Sequence, residues 1–83
     1  MADKELELYF YNECGFSRSV LNTITNLGVG DKIVLKNIRE EPQFLEELVA
    51  LCGNKTVPTL VIDGSPMREA EAINNYLVEE FIL

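Results

Sequence analysis

The sequence predicts a single α/β domain over residues 1–83, with a βαβ unit followed by a ββα unit, which gives a four-stranded mixed sheet and three helices. Three observations lead there. Apolar residues recur first with period two and then with helical period, in alternation along the chain. Asp63-Gly64 marks a tight hairpin between two short strands. A strand, a helix and a second strand in succession imply a right-handed crossover, which makes those two strands parallel.

Each element has its own signal. Leu6, Leu8 and Phe10 alternate with Glu7, Tyr9 and Tyr11, so a strand is expected from Leu6 to Tyr11. Val20, Leu21, Ile24 and Leu27 follow at helical spacing and Gly28 supplies a stop, which predicts a first helix from about Ser17 to Leu27. Ile33, Val34 and Leu35 make Lys32 to Asn37 a second strand. Glu41-Pro42 opens a helix that runs to Cys52, because proline suits a first helical turn. On that helix Phe44, Leu48, Leu51 and Cys52 share one stripe, so Cys52 reads as core rather than as a second reactive thiol. Thr59 to Ile62 is a continuous apolar run, the pattern of a strand covered on both faces, and Pro58 opens it at a position where a missing amide is tolerated. Ser65-Pro66 could cap a helix, but the hairpin reading lets Met67 pair in a short fourth strand. The last helix then starts near Glu69 and lines up Ile73, Leu77 and Phe81.

Composition removes several function classes. The chain has no histidine, so Ser-His-Asp and Cys-His nucleophile pairs lack their base. With two cysteines and no imidazole, a metal site built from this chain's own side chains is not expected. Seven Lys+Arg against fourteen Asp+Glu give a net charge of −7, which disfavours nucleic acid and anionic membrane surfaces as partners. Met-Ala-Asp-Lys-Glu shows no secretory leader and no apolar run reaches the roughly 18 residues of a membrane helix. A cytoplasmic location is the expectation, and thiols in that compartment stay reduced.

Cys14 lies between the first strand and the first helix, where reactive groups concentrate in open α/β sheets. Unpaired amides of a first helical turn (Phe16, Ser17, Arg18) and the helix dipole favour a thiolate there. Glu13 opposes the charge, and Arg18 offsets it in part. A thiol more acidic than a free cysteine is expected, with Ser17 and Arg18 as its stabilising neighbours.

Cys14-Gly15-Phe16-Ser17, Thr56-Val57-Pro58 and the stretch from Asp63-Gly64 to Leu77 together resemble glutaredoxins of the thioredoxin fold, from Leu6 to Glu80. The tetrapeptide is similar to the monothiol C-G-F-S motif, with Ser17 where dithiol members have a second cysteine, on a frame closer to bacterial dithiol members. Glu69, Ala70, Ala72, Ile73, Tyr76 and Leu77 also resemble the E-S-x-A-I-x-x-Y-L pattern in the amino-terminal domain of glutathione transferases.

The resemblance implies a glutathione-dependent thiol-disulfide oxidoreductase with a monothiol mechanism, acting on glutathionylated or disulfide-containing proteins. Cys14 would be the nucleophile, and Pro58, cis and facing it, would wall the groove with Phe16. The Val57 backbone would pair with the tripeptide, Lys55 would meet the glycyl carboxylate, and the amides around Ala70 and Glu71 would receive the γ-glutamyl carboxylate. Two alternatives stand beside it: a homodimeric carrier of an iron–sulfur cluster ligated by Cys14 and glutathione, and a glutathione-binding module of low activity. The chain lacks the upstream lysine, the Trp-Pro pair and the Gly-Gly pair typical of the cluster carriers. A monomer is expected, or a homodimer if a cluster is bound.

Overall fold

The computed structural model describes residues 4–82. Residues 1–3, on which the expectation of no leader partly rests, and Leu83 lie outside the described residues. The elements are β1 (Leu6–Phe10), α1 (Gly15–Leu27), a 3-10 turn (Gly30–Lys32), β2 (Val34–Asn37), α2 (Pro42–Cys52), β3 (Thr59–Ile62), β4 (Ser65–Arg68) and α3 (Ala70–Phe81). The sheet order is β2-β1-β3-β4. β1 and β2 are parallel, whereas β3 runs antiparallel to both β1 and β4.

The period-two pattern of β1 divides two cores. Leu6, Leu8 and Phe10 face α1 and α3, where Val20, Ile24, Ile73 and Leu77 meet Leu60. Tyr9 faces the other way, into a smaller core with Ile38, Leu48 and Val61, which Phe44, Leu45 and Cys52 of α2 flank. Leu60 and Val61 therefore serve different cores from adjacent positions, which is why β3 reads as unbroken apolar sequence. Burying one such leucine stabilises a fold by about 1.5–3 kcal/mol.

A charged network rims the smaller core. Lys36 Nζ lies 2.9 Å from Glu47 and 3.4 Å from Glu7, while the Tyr9 hydroxyl donates to Glu47 at 2.9 Å. Burial alone would lower the Lys36 pKa, but its hydrogen bonds to Glu47 and Tyr9 outweigh that and push it up. The ammonium stays charged and ties α2 to β1 and β2.

Several boundaries depart from the sequence expectation. α1 begins at Gly15, two residues before Ser17, so that Cys14 becomes its N-cap and Ser17 is buried in its first turn. β1 ends at Phe10 because Tyr11 accepts the Cys14 amide in a turn. β2 begins at Val34 rather than Lys32, since the 3-10 turn takes Gly30–Lys32. Leu51 points outward on α2, and Leu45 flanks the core instead. Pro58 precedes β3 rather than opening it. α2, β3 and the hairpin at Asp63-Gly64 stand as expected, and the last helix starts one residue on from Glu69, at Ala70.

Candidate active site

Because β1 and β2 are parallel, the loops that leave their C-terminal ends lie at the same edge of the sheet. The first carries Cys14. Its backbone is extended (φ −89°, ψ 122°) and no side chain caps the helix that follows. The sulfur therefore stands where the first-turn amides of α1 point.

The Val57-Pro58 bond is cis, and Cys14 Sγ lies 4.0 Å from the Val57 carbonyl oxygen. The loop that brings Val57 there is held by its own contacts. Gly53 ends α2 in the left-handed region (φ 76°), the Thr56 amide donates to Asn54 Oδ1, and the Thr59 hydroxyl donates to the Thr56 carbonyl. From this point an open groove of about 560 Å³ extends to the start of α3. Phe16, Thr56, Val57 and Pro58 line its near part; Arg68, Glu69, Ala70 and Glu71 line its far part. A groove of this size suits a small ligand, with α3's free amides at one end and the thiol beside the other.

Burial pushes the Cys14 thiol up, but the Ser17 amide and hydroxyl, the Phe16 amide and the Arg39 charge outweigh it and hold the pKa below the usual cysteine value. Ser17 Oγ is fully buried and has no hydrogen-bond partner among the described residues. With the sulfur ionised, that hydroxyl is the one able to turn and donate to it.

The sequence brought most of these residues forward. Phe16, Val57, Pro58, Ala70 and Glu71 line one groove, Cys14 adjoins it through Val57, and Ser17 is buried in the first turn of α1. Two positions differ. The Arg18 amide donates to the Cys14 carbonyl at 3.0 Å as an ordinary helical bond, so it does not serve the sulfur, and the guanidinium that favours the thiolate is that of Arg39. Lys55 is exposed on the loop after α2 and does not line the groove. Cys52 is a free thiol packed against the smaller core, as its helical stripe suggested.

Arg39, Thr56, Arg68 and Glu69 were not anticipated as site residues. Arg39 sits in the loop after β2, where the Asn37 side chain accepts the Arg39 and Glu40 amides at 2.9 and 3.2 Å. Its guanidinium lies over the Tyr11 ring at 3.8 Å and reaches Glu13 Oε1 at 3.3 Å. The parallel β1–β2 pairing was the available signal, since it places the two following loops side by side. Glu69 is held at φ 79° just before α3, a conformation that disfavours a side chain.

This order of strands and helices, with a cysteine at the first helix N-cap facing a cis proline, defines a thioredoxin-like domain. The family model described as Glutaredoxin matches residues 6–67, and the chain belongs to the glutaredoxin family. The comparisons also reach glutathione transferases. Glutathione S-transferase D7 of Drosophila melanogaster is 34% identical over 76 residues, covering 92% of this chain and 34% of that protein. The solved transferase isozyme E7 of Drosophila melanogaster superposes with a TM-score of 0.73 at 31% identity, over 94% of this chain and 35% of that one. A glutathione transferase homolog from Drosophila mojavensis with bound glutathione gives a TM-score of 0.76 at 22% identity, over 94% and 36%, a likeness of fold alone. The chain thus spans about a third of the length of these relatives.

Proposed function

We propose that this domain binds glutathione in the groove and reduces protein–glutathione mixed disulfides through Cys14 alone. The observation that carries the reading is the Cys14 thiol at the N-cap of α1, set 4.0 Å from the Val57 carbonyl beside a groove that ends at the α3 amides. Family membership and the transferase relatives support the choice of glutathione.

In the first step the Cys14 thiolate attacks the glutathione sulfur of the mixed disulfide, a Cys14–glutathione disulfide forms, and the protein thiolate leaves and takes a proton. A second glutathione thiolate then attacks the glutathione sulfur held on Cys14. Oxidised glutathione departs and the Cys14 thiolate returns. Ser17, in place of a second cysteine, leaves resolution to glutathione. The Val57 backbone offers the tripeptide main-chain pairing, and the amides of Ala70 and Glu71 offer donors to its γ-glutamyl carboxylate.

The test is release of glutathione from a glutathionylated protein, followed with mass analysis of the domain. Turnover with a single glutathione adduct on Cys14, both lost in Cys14→Ser, is the expected result. An internal Cys14–Cys52 disulfide during turnover would refute the monothiol cycle. Oxygen-sensitive visible absorbance without turnover would support the homodimeric cluster carrier instead, and glutathione binding with neither signal would support the low-activity module.

A further inference from the structure

Glu13 and Arg39 pair on the Cys14 side of the site, outside the groove lining, Glu13 preceding Cys14 in sequence and Arg39 brought to it by the loop after β2. Three independent features place Arg39. The Asn37 side chain fixes its backbone, the Tyr11 ring lies under its guanidinium, and Glu13 Oε1 takes one of its N–H groups at 3.3 Å. The side chains remain 57% and 68% exposed, so their pairing contributes little to stability and exchanges readily with other charges. No other ion pair among the described residues involves a residue next to Cys14. Arg39 thus has two anionic neighbours, the Glu13 carboxylate and the thiolate, and Glu13 holds its guanidinium.

We infer that Glu13 and Arg39 form an exchangeable pair that selects the charge of what reaches Cys14, Glu13 acting as an internal carboxylate that an anionic ligand must displace from Arg39. The inference rests on the reading of Cys14 as the nucleophile. In the closed pairing this side of the site is locally neutral and gives an incoming anion no advantage. Once a carboxylate of the ligand takes Arg39, Glu13 swings free into solvent. Thiol partners carrying a carboxylate near the reacting sulfur are thereby favoured over neutral ones only at the cost of opening the pair. Removing Glu13 therefore makes the site more selective for anions, not merely more reactive.

The experiment compares alkylation of Cys14 by iodoacetate, an anion, and by iodoacetamide, which is neutral, with the adduct located by mass because Cys52 is a second free thiol. Both reagents form a carbon–sulfur bond to the same thiolate and release iodide, so the ratio of their rates cancels ionisation and reads local charge. The wild type, Glu13→Gln, Arg39→Gln and the double variant form a cycle. The expected result is a rise of about threefold in the iodoacetate preference for Glu13→Gln at low salt, and a gain at least about twofold smaller when Arg39 is also replaced. Equal gains in the two backgrounds would overturn the inference, because they would mean that Glu13 repels anions independently of Arg39. No gain in either would overturn it as well. Both side chains are exposed, so unchanged thermal unfolding of the variants is expected. Glutathione takes no part in these reactions. A coupled cycle in a protein that fails to release glutathione would refute the proposed function and leave the pair standing, and the reverse outcome would refute the pair alone.

Discussion

A cysteine whose pKa is depressed in the folded protein favours the fold through its anion. Cys14 contributes that stability above the pKa of the unfolded thiol, and the contribution is lost as pH falls through the folded value. Its alkylation rate should therefore reach half-maximum at a pH below that of a free cysteine thiol, as measured with iodoacetamide across pH. Ser17→Ala should move that midpoint upward while leaving the amide donors in place; an unchanged midpoint would exclude the hydroxyl from the effect. The residue scale is also where the sequence was least complete. Cys14 was legible because strand and helix periodicities bracket it, and Ser17 because it is its neighbour in the same turn. Arg39 was not, since it lies 25 residues further on and reaches the thiol only through strand pairing and the Asn37 turn. Glu69 stayed hidden for a different reason: nothing in side-chain chemistry announces a positive φ. Glu69→Gly should relieve roughly 1 kcal/mol of backbone strain, partly offset by glycine's entropy, and weaken glutathione binding by loosening the groove wall. A thermal melt and a binding titration of the same variant would check both parts.

At the scale of elements, α2 is the sole helix on its face of the sheet among the described residues, and Leu48 is its one fully buried side chain. Leu48→Ala should destabilise the domain by about 2–5 kcal/mol in urea unfolding, through lost burial and the cavity left behind. Leu51→Ala, on the exposed side of the same helix, should cost well under half of that. The contrast also shows how far periodicity reached. Pro42 marked the start of α2 correctly because proline suits a first helical turn and has few other uses there. The stripe was misdrawn by one position, Leu51 for Leu45, because a helix this short fits two neighbouring stripes almost equally well. β2 starts two residues late for a similar reason: Lys32 belongs to the 3-10 turn, and Ile33, just after it, is buried whether it follows a turn or starts a strand.

For the whole molecule, the net charge of −7 and the groove's mixed lining act in opposite directions on an anionic tripeptide. On the proposed binding mode the long-range field repels it, while Arg68 and the α3 amides, which line the groove, would act at contact distance. Salt screens the first more than the second, because the Debye length falls from about 30 Å at 0.01 M to about 8 Å at 0.15 M. Association of glutathione with the domain should therefore speed up modestly over that range, as followed by stopped-flow mixing, and a steep slowing would show that local cations dominate at long range too. The cover on both faces of β3 was readable from its unbroken apolar run, whereas the second core under β1 was not, because Tyr9 stands in the alternation where a solvent-facing residue is expected. The helix that receives Cys14 has one more property. Its N-terminus carries no side-chain oxygen to close it, so the sulfur anion is the group available for that purpose. In the proposed cycle, α1 loses its cap each time Cys14 enters a disulfide, and the cap returns each time the disulfide is cleaved. The helix end thus acts as a small spring on the reaction: what the thiolate contributes to folding it also contributes to its own departure as a leaving group, so the reduced domain should melt at a higher temperature than its glutathionylated form.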